Sequence, residues 1–179
     1  MRLSIPFSII MALASLGLSG CVMTQKSRPT TVTYVDLERY MGRWYVISNV
    51  PYFLERGKVA SYDTYAFRPD GKLTNDFTFR KETVDGPEKT WYGTAQIIDP
   101  TTNATWKISF VWPLSVTYKI FALDQDYRWA VVGTKDAGLL WVLARERQLP
   151  EKTYASILRL LDEKGIDPTP LKLVPQPES

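Results

Sequence analysis

Histidine is absent from all 179 residues, and cysteine occurs once. Without an imidazole there is no Ser-His-Asp or Cys-His catalytic couple and no His-based zinc or iron site. A single thiol can form neither an internal disulfide nor a cysteine-ligated cluster. The 22 Lys and Arg against 19 Asp and Glu leave a net charge of +3 without a basic cluster, too even a balance to point to nucleic acid. Apolar material is plentiful by contrast. With 45% hydrophobic and 13% aromatic residues the chain can build one domain core, which argues against wholesale disorder.

The N-terminus reads as a targeting segment. Arg2 gives a positive start, and Leu3 to Leu18 is apolar apart from Ser4, Ser8 and Ser15, interrupted only by Pro6 and Gly17. That run falls short of the roughly 20 residues a spanning helix needs, so a signal peptide is favoured over a membrane span. It ends in Leu18-Ser19-Gly20-Cys21, which resembles the bacterial lipoprotein box. The resemblance implies that residues 1–20 are removed and that Cys21 is acylated as the new N-terminus. With Val22 rather than Asp next to it, the resemblance also implies the outer membrane as destination. Three acyl chains, at about 0.8 kcal/mol per buried CH₂, would anchor the chain stably. Residues 21–35 then form the lipidated N-terminus and a polar tether with Gln25, Lys26, Ser27, Arg28, Pro29 and Thr30, ahead of a domain over residues 36–179.

The body reads as a meander of strands. Turn signals recur at Pro69-Asp70-Gly71, Asp85-Gly86-Pro87, Asp99-Pro100-Thr101, Pro113, Asp124-Gln125-Asp126 and Lys135-Asp136-Ala137-Gly138. Between them lie runs rich in Val, Ile, Thr, Tyr, Phe and Trp, eight in all, with links short enough to favour antiparallel neighbours. Trp106, Ile108, Phe110 and Trp112 alternate with Lys107, Ser109 and Val111, and Tyr118, Ile120 and Ala122 alternate with Lys119, Phe121 and Leu123. Lysine marks the wet face, so the Trp106 and Tyr118 sets are expected to point inward. Eight such strands suit a sandwich or a closed barrel, and a barrel of that size holds side chains or one small ligand. One helix follows, with Pro150 and Glu151 at its start, Tyr154, Ile157, Leu158 and Leu161 at helical spacing, and Gly165 as C-cap. Leu171 to Val174 suits a short edge strand.

Three motifs sharpen this. Gly42-Arg43-Trp44-Tyr45, following Asp36-Leu37-Glu38-Arg39-Tyr40-Met41, resembles the lipocalin Gly-x-Trp signature. Ala122-Leu123-Asp124-Gln125-Asp126-Tyr127 resembles the second lipocalin motif, with its Asp-Tyr at Asp126-Tyr127, and Leu140-Trp141-Val142-Leu143-Ala144-Arg145 resembles the third. Together, in that order and followed by the helix, they resemble the bacterial outer-membrane lipocalins related to apolipoprotein D. The resemblance implies an all-β, eight-stranded antiparallel up-and-down barrel with one C-terminal α-helix packed outside. Gly42 would permit the bend into the barrel, Trp44 would plug its base, and Arg145 would lie on the Trp44 face.

The resemblance puts the pocket tryptophan at Trp141, and alternation adds Trp112, Phe110, Tyr118 and Ile120 to the expected lining. The family's second pocket aromatic falls where this chain has Ser115. The match over residues 55–71 places Asp63, Tyr65 and Phe67 on one face. There Asp63 either meets a cationic head such as choline, or Tyr and Arg donors, or lies solvated at a bulge or rim. Whether the aromatics fill the interior or leave a cavity stays open at this stage.

Functionally the expectation is a non-enzymatic binder that stores or carries fatty acids, lysophospholipids or similar amphiphiles in the envelope, polar mouth residues orienting the head. It would be membrane-attached through its lipid anchor, with no cofactor, no metal and no nucleic-acid partner, facing the periplasm. The alternatives are an envelope scaffold without a lipid ligand, using the exposed Trp129 and the helix surface, and an enzyme using Asp63. The resemblance leaves homodimerisation open.

Overall fold

A computed structural model describes residues 29–178. The expected signal segment 1–20 and Cys21 lie outside the described residues.

Ten strand segments follow one another with short links: β1 (Gly42–Asn49), β2 (Lys58–Phe67), β3 (Leu73–Lys81), β4 (Lys89–Trp91), β5 (Thr94–Ile97), β6 (Thr105–Val111), β7 (Leu114–Leu123), β8 (Trp129–Thr134), β9 (Leu140–Ala144) and β10 (Lys172–Leu173). Every pairing is antiparallel, the order β1-β2-β3-β5-β6-β7-β8-β9 follows the chain with β4 also on β3 and β10 on β1, and β9 returns to β1 through Tyr45↔Ala144 and Val46↔Leu143. The sheet is therefore closed. The segments β4 and β5 both pair with β3 and are one strand broken at Tyr92-Gly93, where the Gly93 carbonyl still accepts from Asn75 N–H at 3.0 Å. With β10 outside the count, this is the eight-stranded antiparallel barrel. Closure removes the free edges that an open sheet of such strands would present.

Two apolar layers hold it. The interior cluster includes Trp44, Val46, Tyr65, Phe77, Phe79, Trp106, Ile108, Tyr118, Ile120, Val132 and Leu143. The outer cluster lies under α2 (Glu151–Glu163) and includes Ile47, Phe121, Val131, Leu140, Val142, Ile157 and Leu161. Strand β9 has one face in each layer, which is why nearly every residue of Leu140–Ala144 is buried. The helix ends at a Gly165 with φ +71°, and the Ile166 N–H reaches back to the Leu161 carbonyl at 2.9 Å. Only that left-handed turn brings the two together, and glycine takes it at no steric cost.

Three expectations need correction. Alternation does not run unbroken through β7, because the pairing with β8 shifts between Ile120 and Ala122. That bulge moves Ala122 to the helix side, and Phe121, expected on the wet face, is buried under α2. Trp129, expected to be exposed, packs against the same outer cluster. The packed domain also starts before residue 36. Val35 is fully buried, and the Val32 and Val35 N–H groups donate to Ile120 and Thr102 carbonyls, so this stretch covers the base rather than serving as tether.

One element carries no clear mark in the sequence, and one expected element closes a gap in the barrel. A single helical turn, α1 (Leu37–Tyr40), is capped by Asp36 Oδ1 accepting from the Arg39 N–H at 3.2 Å. The short strand expected over Leu171 to Val174 is β10, which pairs with β1. It occupies the gap where β1 and β2 diverge, with Val174 N–H on the Ile47 carbonyl and Ala60 N–H on the Pro175 carbonyl. Gln176 Nε2 spans the same gap to the Val46 (2.9 Å) and Ser61 (3.1 Å) carbonyls.

Candidate functional site

One end of the barrel is sealed by side chains. Trp44 Nε1 donates to the Tyr40 carbonyl at 2.8 Å, and the Arg145 guanidinium lies 3.8 Å over the Trp44 ring. Arg145 also donates to the carbonyls of Arg39 (2.6 Å), Tyr40 (3.2 Å), Arg43 (2.8 Å) and Tyr127 (3.3 Å). Gly42, at φ +94°, lies beside it, and a Cβ there would stand 3.4 Å from Arg145 Nη1. The Tyr127 hydroxyl accepts from Asp36 N–H at 2.8 Å while Arg39 covers its ring, whereas Asp126 is exposed and 3.6 Å from Arg128. These residues build the closed end and do not reach the cavity.

Above that base lies a cavity of about 750 Å³. Its floor is aromatic: Tyr65 meets Trp106 edge-on at 5.3 Å, Trp106 stacks on Tyr118 at 5.6 Å, and the Tyr65 and Tyr118 hydroxyls are 3.2 Å apart. The walls are Phe77, Trp91, Ile108, Phe110, Val116, Val132 and Trp141. Aromatic rings therefore fill the bottom of the barrel and leave the rest open.

The lining includes Trp141, Phe110, Tyr118, Tyr65 and Asp63, and also Ser115. Two expected members are elsewhere. Trp112 is 89% exposed, because β6 ends at Val111, which pairs with Leu114, and Trp112-Pro113 is the hairpin tip where strand alternation no longer aims the side chain. Ile120 does point into the barrel but is fully buried in the base cluster below the cavity floor. Phe67 ends β2 and is 55% exposed.

The polar groups of the cavity are the part least marked by local pattern. Glu55, in the β1–β2 connection, accepts from Asn49 Nδ2 (2.5 Å), Trp141 Nε1 (3.0 Å) and the Tyr52 hydroxyl (3.3 Å). Burial lifts its carboxyl above the ordinary range, while these donors and the Lys58 charge oppose the shift. Asp63 accepts from Asn75 Nδ2 at 3.0 Å. Its burial among apolar walls pushes it up to about 7, Glu55 acts in the same direction, and the Asn75 bond partly offsets them. Burial likewise drives the Tyr65 and Tyr118 phenols well above their usual range, so both stay neutral. The Asp63 environment is therefore an interior one, not a solvated rim. Glu55, Asn49 and Asn75 were missed because a lone loop glutamate or strand asparagine carries no pattern that marks it.

Residues 35–176 match the lipocalin-like domain family, and the chain belongs to it. It is 32% identical over 150 residues to outer membrane lipoprotein Blc of Escherichia coli K12, covering 84% of each chain. It is also 30% identical over 166 residues to temperature-induced lipocalin-1 of Arabidopsis thaliana, covering 88% of each. Among solved structures it resembles insecticyanin of the tobacco hornworm Manduca sexta, with a TM-score of 0.66 at 17% identity over 83% of this chain and 84% of that one. That last likeness concerns the fold alone.

Proposed function

We propose that this chain is a lipid-anchored, non-enzymatic carrier that holds one small hydrophobic or amphiphilic molecule at the bacterial outer membrane. The observation that supports this most is the open cavity of about 750 Å³ above a sealed base, walled by aromatic and aliphatic side chains. That volume suits a single-chain lipid of fatty-acid or lysophospholipid size. Burying its tail releases about 25 cal/mol per Å² of apolar surface. Trp141, Phe110, Tyr118 and Tyr65 would contact the ligand, with Asp63 as a polar contact. The Cys21 box and relatives named outer membrane lipoproteins support attachment there; the domain would face the periplasm.

Titration of delipidated protein with N-phenyl-1-naphthylamine, a neutral fluorescent probe, tests the reading. Saturable one-site binding with quenching of tryptophan emission is expected, and its absence overturns the proposal. Mass spectrometry of organic extracts from protein purified out of its native membrane would identify the resident molecule.

A further inference from the structure

The cavity carries charge of one sign. Among its described lining residues the ionisable groups outside the phenols are two carboxylates, Glu55 and Asp63, with no Lys or Arg. Lys58, the cation beside Glu55, is held to the Leu54 carbonyl and over the Trp91 and Phe79 rings, and does not line the cavity.

The two acids differ in their remaining capacity. Glu55 already takes three donors. Asp63 takes one, on Oδ1, and its Oδ2 has no donor among the described residues. Its place is low in the barrel. Asp63 stands opposite Trp44 on β1 and Phe77 on β3, two residues from Tyr65, whose ring packs on Tyr40 and Trp106 of the sealed end. The other end has apolar rim residues, with Leu54 at 46% exposure, Val111 at 65% and Leu114 at 71%. Asp63 thus offers an open acceptor oxygen low in the barrel, while Glu55, next to Leu54 at the mouth end, is already taken up by its own donors.

Resting on the carrier reading above, we infer that the cavity selects single-chain amphiphiles with a small protonated amine head, bound head-down on Asp63, and discriminates against free carboxylates. An ammonium brings donors to the open Oδ2 and neutralises a carboxylate that otherwise lies among apolar walls. A fatty carboxylate in the same place would meet Asp63 and no cation, with Glu55 a second acid of the same cavity. The groups that face Asp63 electrostatically are Glu55, Tyr40, Tyr52, Tyr65 and Tyr118, of which Glu55 is the second carboxyl and the rest are phenols raised by burial. A bound cation pulls the Asp63 titration downward, so amine binding at neutral pH releases a fraction of a proton.

Dodecylamine, dodecanol and dodecanoate share a tail and differ in head. In competition against N-phenyl-1-naphthylamine at neutral pH, dodecylamine is expected to bind about tenfold or more tighter than dodecanoate. In Asp63→Asn its advantage over dodecanol should shrink to about threefold or less. Calorimetry of the unmodified protein in buffers of different ionisation enthalpy gives an independent readout, with proton release for the amine and none for the alcohol. Dodecanoate binding as tightly as the amine, an amine advantage that survives Asp63→Asn, or zero proton release each overturns the inference. If neither probe nor dodecanol binds, the carrier reading itself falls; if dodecanol binds without an amine preference, only the head-group selection does.

Discussion

The indole Nε1 of Trp141 donates to Glu55 Oε2 at 3.0 Å, joining β9 to the β1–β2 connection across 86 positions of sequence. Asn49 and Tyr52 converge on the same carboxylate, so one side chain holds a loop whose Phe53 is 77% exposed. Glu55→Ala leaves three donors without their acceptor and should cost about 1–3 kcal/mol in denaturant unfolding. Glu55→Gln keeps an accepting oxygen and should cost less. A loss no larger for alanine than for glutamine would show that the carboxylate does not organise the loop.

Arg145 covers Trp44 and reaches four backbone carbonyls at the sealed end. Lysine keeps the charge but not the planar fork. Arg145→Lys is therefore expected to destabilise the barrel by on the order of 3 kcal/mol, combining lost ring contact with unmet carbonyls. Urea midpoints compared at equal m-value read this directly, and a change under about 0.5 kcal/mol would contradict it.

Asp63 provides a pH dependence with a definite sign. Its folded-state value lies at about 7, above the 3.8 of a free aspartate, because burial disfavours its charge. The unfolded chain releases this proton first, so the contribution is fully present below about pH 4 and is lost as pH rises toward 7. Between those limits the protein should lose stability relative to Asp63→Asn, by at most about 4 kcal/mol. Glu55 is shifted the same way, so the comparison with the Asn variant, not the raw slope, isolates Asp63. Parallel pH profiles for the two proteins would refute the assignment.

Removing residues 172–179 should open the seam between β1 and β2. The Ile47 and Val46 carbonyls and the Ala60 N–H all lose tail partners. Thermal unfolding should drop by several degrees, and Gln176→Ala alone should cost about 1–2 kcal/mol. Hydrogen exchange at Ala60 is the local readout, since its N–H bonds the Pro175 carbonyl. An unchanged exchange rate in the truncated protein would mean that the seam closes without the tail.

Much of the wall is legible in the strand pattern. Trp106, Ile108 and Phe110 face inward, and Trp141, Leu143 and Arg145 share the interior face of β9 and its extension. Alternation is reliable while the ladder is regular, because each pleat turns the side chain by half a rotation. It misplaced Trp112 and Ala122 where the ladder ends or bulges, at the 112–113 turn and between Ile120 and Ala122. The hydrogen-bonded surroundings of the acids were less legible. Asp63 was singled out by its place on the Tyr65 face, but nothing local indicated that Asn75 would be its donor.

Local pattern is enough for the class of the molecule: strand composition, turn spacing and three ordered motifs suffice for an antiparallel barrel with an outer helix. These are short-range properties, set by backbone propensity and by which face of each strand is apolar. Three features emerge only on packing: the rings stop at the floor and leave a cavity, Glu55 bonds to Trp141, and the C-terminal segment fills the seam between β1 and β2. Each of these depends on contacts between residues far apart in the chain, and on where bulges shift the register, which no local pattern encodes.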